Sequence, residues 1–376
     1  MGKYTYNEKY DKGIEKQLEV VKDILRKETK PISIVLFGGF GKGEGVVDNG
    51  KPMNDFDIYL ITKNKLDDEY VEELGVKCAK ALGYEGLEFA KHPDESYDNK
   101  KFFHVDIRNI KYSRLPKLMH SQRNFELKYG SQILYGENIF KKIPDFKVPV
   151  SDAIRLLFNK MHHLLLSKDN SKQIKLIHIN KAFLDCCTAL LIFENNFKPR
   201  YNERNEAFQS MNFPKELKEK VKYASEFRMK PDFESAKDID KLWGEAKYWV
   251  GYSFLYIITR HLKINSEDWQ GVVKIIDKKL PYIYFEPYLP NKYLFFLQYY
   301  LNLKFVVSCW KEKKFIIKPI FYWKDAGIRL ALPLILYLYG NERDSEKYLR
   351  RITNNSQPLK MKILEYYGLY YSQKLI

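Results

Sequence analysis

Residues 36–62 read LFGGFGKGEGVVDNGKPMNDFDIYLIT, and this stretch decides how the chain is to be understood. It opens with four glycines in eight residues (Gly38, Gly39, Gly41 and Gly43), directly after SIVLF, an apolar run with the look of a buried strand. Glycines at a strand end let backbone N–H groups approach phosphate oxygens closely, and Lys42 adds a positive charge there. After the turn-rich gap VVDNGKPMN, Asp55 and Asp57 enter a second apolar run, DFDIYLIT. Residues i and i+2 of a strand project from the same face. Both carboxylates therefore point one way, while Phe56, Ile58 and Leu60 point the other. Like charges so close at a partly buried sheet end repel each other and lose hydration. Hard divalent cations resolve the conflict, because Mg²⁺ takes oxygen ligands from one or two carboxylates plus substrate phosphates.

A third carboxylate, Asp106, lies in KFFHVDIRNI, where Phe103, Val105 and Ile107 alternate with His104, Asp106 and Arg108. If that strand lies beside the first acidic one, three carboxylates converge on one edge. His104 and Arg108 share the face of Asp106; His104 is a candidate substrate contact, and Arg108 is placed either to neutralise phosphate or to pair with a nearby acid. The familiar phosphate loops do not fit. A Walker A loop needs Ser or Thr after its lysine, and Gly43 follows Lys42 here; the glycines also miss the G-x-G-x-x-G spacing of dinucleotide binders.

A strand ending in Gly-Gly, a gap, Asp-x-Asp within an apolar strand and a lone Asp on a later strand resembles the DNA polymerase β-type nucleotidyltransferase superfamily. The resemblance covers residues 32–110, and ILYG at 133–136 is similar to the closing strand of those domains. It implies an α+β fold, a small mixed sheet with helices, followed by a mostly α-helical domain. It implies a Mg²⁺- or Mn²⁺-dependent transferase moving a nucleoside monophosphate from an NTP, such as ATP, to an acceptor hydroxyl. Asp55 and Asp57 would then be the paired metal ligands. Asp106 would bind the catalytic metal and help deprotonate the acceptor. Gly38, Gly39 and Lys42 would hold the triphosphate. The chain departs from the pattern at Gly39, where Ser is commoner, and in the length of the gap before Asp55. The alternative is a catalytically inactive nucleotide- or RNA-binding module of the same fold.

Organisation supports two domains, 1–148 and 149–376, with the break in IPDFKVP between Pro144 and Pro149. Residues 12–27 repeat apolar positions at helical spacing, LDDEYVEELGVKCAKALG reads as a helix closed by Gly83, and EGLEFA as a short strand. Beyond the break, Ser151-Asp152 is placed to cap a helix through AIRLLFNKMHHLLL, and QIKLIHINKAFLDCCTALLIFE makes a second. Further helices are expected over 215–229, 235–262, 291–305 and 329–339.

The net charge of +16 is uneven. Residues 1–148 hold 26 Lys and Arg against 24 Asp and Glu, whereas residues 149–376 hold 38 against 24. That excess suits an anionic partner such as RNA, although chains rich in Lys, Asn, Ile and Tyr also arise from genome bias. FKPRYNERN, with Lys198, Arg200, Tyr201 and Arg204, reads first as a solvated loop and second as a phosphate or acceptor contact; KEKKF at 311–315 reads as a charged turn. His162 and His163 are neighbours on a helix, about 100° apart, which favours packing over chelation. Four cysteines without CxxC spacing argue against a disulfide framework or a zinc site and fit a reducing cytoplasm. No signal-type apolar run is visible at the start, and the apolar run at 330–340 is too short for a membrane span.

Overall fold

The computed structural model describes residues 2–48, 50–53, 55–85, 103–234, 236–266, 268–285, 332–350 and 357–372. The EGLEFA strand beyond Glu85, the helix expected over 291–305, Cys309 and the KEKKF run lie outside the described residues. The chain is mixed α and β, with a small sheet early and a helical part later, and forms two compact units. One unit is Met1–Val148 with Asn195–Asp232; the other is Pro149–Glu194 with Phe233–Ile376. The chain thus changes unit at residue 148, where the sequence pattern breaks, and changes again on either side of 195–232. That returning segment reads as part of a helical second domain by pattern alone. It is held in the first unit by buried polar contacts described below.

The first unit is organised around a four-stranded sheet in the order β5-β4-β1-β6. The strands are β1 (Ser33–Phe37), β4 (Phe56–Thr62), β5 (Val105–Lys111) and β6 (Gln132–Gly136), and a two-stranded ribbon of β2 (Val47–Asp48) and β3 (Lys51–Pro52) fills the turn-rich gap. β1 runs antiparallel to β4 and β6, and β4 runs parallel to β5. All five residues of β1 are buried, because both faces of the sheet are covered; this is why SIVLF is continuously apolar rather than alternating.

On one face, Ile34, Leu36, Phe56, Ile58, Leu60, Val105 and Ile107 pack against α1 (Asp11–Thr29) and α3 (Asp68–Ala81). Helix α1 presents Ile14, Leu18, Val21 and Leu25, spaced at helical period, and each such burial contributes about 1.5–3 kcal/mol relative to exposure. Helix α3 starts where the Asp67 carboxylate accepts from the Glu69 and Tyr70 amides, and the chain leaves it through Gly83 at φ 85°. On the other face, Val35, Phe37, Tyr59 and Ile61 meet Leu127 of α4 (Gln122–Tyr129) with Leu115, Ile139 and Ile143. Asp57 and Asp106 continue this second face to its open end. Two helices, α7 (Tyr201–Ser210) and α8 (Lys215–Met229), complete the unit.

The second unit contains α5 (Val150–Ser167), α6 (Lys172–Phe193), α9 (Ile239–Leu262), α10 (Trp269–Phe285), α11 (Leu332–Tyr339), α12 (Glu342–Leu349) and α13 (Leu359–Ser372). The expected Ser151-Asp152 cap is not formed. Helix α5 instead starts at Val150 with Pro149 at the N-cap, and Asp152 lies inside the first turn, paired with Arg155. Helix α6 is long and apolar enough to cross a membrane by length and composition, but 72% of its apolar window is buried inside the protein. A helix apolar all round and packed on every side is a core helix. Cys186 and Cys187 on it are free and buried, as is Cys78 on α3, and burial pushes the Cys78 and Cys186 thiols up to about 12.

His162 and His163 on α5 form a ring cluster with His178 on α6, with centroids 5.7 and 5.2 Å apart along the chain of three, and Tyr367 of α13 stacks on His162 at 4.6 Å. They pack rather than chelate. Burial depresses the three to about 4, 2 and 4 respectively, with Lys160 and Lys181 adding to the effect at His163 and His178, and Lys160 is itself paired with Asp185 at 3.0 Å. A histidine depressed below its ordinary 6.5 takes up protons on unfolding, so its stability contribution is present above pH 6.5 and lost as pH falls toward 4. Circular dichroism melts should therefore lose about 1–2 kcal/mol per histidine between pH 6.5 and 5. His163→Phe should flatten that slope, and an unchanged slope would contradict the assignment.

Candidate active site

The chemistry-bearing residues collect where β1 ends and β4 and β5 begin. In register, Phe37 stands opposite Asp57, and Asp57 stands opposite Asp106 on the neighbouring parallel strand. Asp57 and Asp106 are half-buried; Asp55 is exposed, just before β4. Immediately after Phe37 the chain enters a single helical turn, α2 (Gly38–Gly41), with Gly38 at φ 67°. A Cβ at Gly38 would stand 1.9 Å from Asp57 Oδ2, and one at Gly41 would stand 2.4 Å from the Leu36 carbonyl oxygen. The glycines are thus required by contact as well as by φ: the turn folds back onto its strand, and the Asp57 carboxylate rests directly on the Gly38 backbone.

Burial, followed by the charges of Asp55 and Asp106, raises Asp57 to about 7, against the opposing pull of Arg108 and Lys42. Asp106 is held by Arg108, whose Nε donates to Oδ2 at 3.1 Å and whose Nη2 lies 3.1 Å from the same oxygen. Of the two roles open to Arg108 from the sequence, phosphate contact and acid partner, the structure shows the pairing with an acid. His104 is buried, and its carbonyl accepts from the Phe56 amide.

Lys42 is not the open phosphate charge expected from its place among glycines. Its side chain is 4% exposed, and Nζ donates to Glu126 Oε2 of α4 at 2.6 Å. The other carboxylate oxygen of Glu126 takes Arg204 Nη2 and Gln122 Nε2. Arg204 also donates to the Lys198 and Pro199 carbonyls at 2.6 and 2.9 Å, and its guanidinium lies between the rings of Phe197 and Tyr201 at 4.5 and 4.6 Å. Burial works to raise Glu126, but Lys42 and Arg204 beside it outweigh that and hold it down at about 2. FKPRYNERN is therefore not a solvated loop throughout: it carries one of the largest fully buried side chains of the protein, Arg204, into the first unit.

The same segment reaches the far end of the glycine turn. Glu44 is fully buried, its Oε1 accepts from the Asn202 amide at 3.1 Å, and burial raises its carboxyl above the ordinary range. Arg228 of α8 lies over Tyr201 at 4.2 Å and comes within 3.9 Å of where a Gly39 Cβ would stand. Arg123 of α4 lies over Phe37 and Tyr59, at 5.6 and 5.7 Å, on the sheet face that carries Asp57. Glu44, Arg123, Glu126 and Arg228 escape notice in the sequence. The one local sign is an acid flanked by apolar neighbours, as in Phe125-Glu126-Leu127.

Compared with models of known protein families and with curated proteins, the sequence matches none. The site therefore has to be judged on its own geometry. Its donor set is carboxylate oxygen only, which suits a hard divalent cation, and the Gly38 cradle keeps the Asp57 carboxylate clear of any neighbouring side chain at that point. Among the described residues no three His, Cys, Asp or Glu side chains already converge enough to hold an ion. Asp55 and Asp57 are consistent with the one or two protein carboxylates that Mg²⁺ usually takes, the rest of its shell coming from phosphate and water.

Proposed function

We propose that the protein is a metal-dependent nucleotidyltransferase, transferring a nucleoside monophosphate from an NTP to an acceptor hydroxyl and releasing pyrophosphate. The observation that carries this reading is the juxtaposition at one sheet end: Asp57 and Asp106 in register on neighbouring strands, with the glycine turn packed on the Asp57 carboxylate. Asp55 and Asp57 would hold the Mg²⁺ or Mn²⁺, and Asp106 would join them once Arg108 releases it. A divalent ion there supplies charge neutralisation of the triphosphate and of the transition state. Asp106 orients the acceptor hydroxyl and takes its proton as the acceptor oxygen bonds to the α-phosphorus and the bond to the pyrophosphate oxygen breaks. The Gly38 and Gly39 backbone holds the phosphate chain in line for that displacement. Most of the rate effect is positioning and electrostatics. The excess of Lys and Arg in residues 149–376 supports an anionic acceptor, RNA, over a neutral small molecule or a protein hydroxyl.

The Asp106–Arg108 pair gives a specific reason to keep a second reading, a nucleotide-binding module without turnover. Incubation with each α-labelled NTP, Mg²⁺ or Mn²⁺, and total RNA separates the two. Label is expected to move to RNA. Nucleotide binding without transfer to RNA or to any component of a cell extract would favour the module.

A further inference from the structure

We propose that Arg228 binds the terminal phosphates of a nucleoside triphosphate at the glycine turn, a role that rests on the nucleotidyltransferase reading above. Three cations from distant parts of the first unit gather behind and beside that turn: Lys42, Arg204 and Arg228. Two of them share one carboxylate, Glu126, and are buried with it. Both have their donors engaged by Glu126 and are closed off from solvent, so neither is available to a ligand. Arg228 is in a different position. Among the described residues it makes no ion pair; a side-chain hydrogen bond links it to Tyr6, and its Nε finds no hydrogen-bond acceptor.

Its guanidinium is nonetheless fixed. It lies over the Tyr201 ring at 4.2 Å, and Tyr201 is in turn pinned by Arg204 on the same ring. An arginine stacked in this way loses little further freedom when it binds, and its planar fork matches two phosphate oxygens. Burial works against the Arg228 charge, but Tyr201, Tyr6 and Glu44 around it more than offset the effect, so it stays cationic.

The aim of the side chain decides its role. Nη2 stands 3.9 Å from where a Cβ of Gly39 would be, one residue beyond the Gly38 backbone on which the Asp57 carboxylate rests. Adjacent glycines thus face a carboxylate at Gly38 and, at Gly39, the Glu44 carbonyl oxygen, 3.6 Å from the same Cβ position, with the Arg228 guanidinium beside it. A triphosphate complexed with a divalent ion has the same polarity: a metal-bearing stretch for the carboxylates and a bare, highly charged terminus for a guanidinium. Gly39 has no side chain of its own to reach a phosphate, and Arg228, arriving from α8, supplies the donor that Lys42 does not.

Binding of the Mg²⁺ complexes of ATP and AMP, and of Mg²⁺-pyrophosphate, should be measured by calorimetry for the wild type, Arg228→Gln and Arg228→Lys. Loss of one charge-assisted fork should weaken ATP and pyrophosphate about 10- to 100-fold in Arg228→Gln and leave AMP within about twofold. Arg228→Lys, which keeps charge but not the fork, should fall between. A purely structural role would weaken all three ligands alike, and that result overturns the proposal. So does ATP bound by Arg228→Gln as tightly as by the wild type, which leaves the nucleotidyltransferase reading standing. If the wild type binds neither ATP nor pyrophosphate, both readings fail. Should Arg228→Gln not fold, as judged by its melt, the ratio of ATP to AMP affinity in Arg228→Lys decides.

Discussion

Replacing Asp57 with Asn is expected to cut nucleotide transfer by on the order of 1,000-fold or more and, in the metal-free protein, to raise stability. Both effects come from one cause. The carboxylate sits half-buried, with Asp55 and Asp106 nearby, and its pKa is raised from 3.8 to about 7. A group raised on folding favours the native state at low pH and loses that contribution as pH rises from 3.8 through 7. At pH 8 without metal, the ionised carboxylate is therefore a strain on the fold. Three pKa units correspond to a ceiling of about 4 kcal/mol; with water reaching the group, about 1–2 kcal/mol is the realistic gain in Asp57→Asn. Melts in EDTA should show the variant above the wild type at pH 8 and level with it near pH 4. Added Mg²⁺ should raise the wild type and leave the variant unmoved. Equal melting temperatures at both pH values, or retained transfer, would remove Asp57 from the centre of the site.

Glu126→Gln should be the most destabilising single change in the first unit, about 3–5 kcal/mol, because it strands Lys42 and Arg204 as buried cations without an anion. For a unit of this size that is a fall of roughly 10 °C in its melting transition. The pH dependence runs opposite to that of Asp57. Glu126 is held at about 2 against an ordinary 4.5, so its contribution is present above pH 4.5 and lost as pH falls toward 2. Wild type and Glu126→Gln should differ fully at pH 7 and converge toward pH 2. Exchanging Lys42, Glu126 and Arg204 together for Met should recover much of the loss, since an apolar trio needs no compensation. A loss below about 1 kcal/mol in Glu126→Gln would mean that water already reaches the cluster.

The parts of this architecture that are legible in the sequence are those set by local periodicity. DFDIYLIT and KFFHVDIRNI show their two faces directly, and Ile14, Leu18, Val21 and Leu25 trace the buried stripe of α1. The glycines before Asp55 and Asp57 show a turn because only a turn tolerates them. What pairs with what is not written locally. Lys42 looks like an open charge in a glycine-rich loop because its partner lies 84 residues later, and the burial of Arg204 depends on a carboxylate 78 residues earlier. Arg228 ends an ordinary amphipathic helix, and only the return of 195–232 to the first unit brings it to Gly39. The misplaced cap at Ser151-Asp152 is a smaller lesson: the helix starts at Val150, directly after Pro149, and the two polar residues fall inside its first turn.

That return also orders events during synthesis. When residue 148 leaves the ribosome, all four strands of the sheet exist, but two carboxylates destined for burial, Glu126 and Glu44, still lack Arg204 and Asn202. The hairpin of α5 and α6 is translated next and its two helices pack on each other at once, although their further partner α9 follows only from residue 239. The sheet must wait through that interval with a charged seam along its glycine turn, open to water until α7 and α8 arrive. The first unit is thus left open while the second begins, and the glycine turn gains its last partners only within the 84 further residues that end at Asp232.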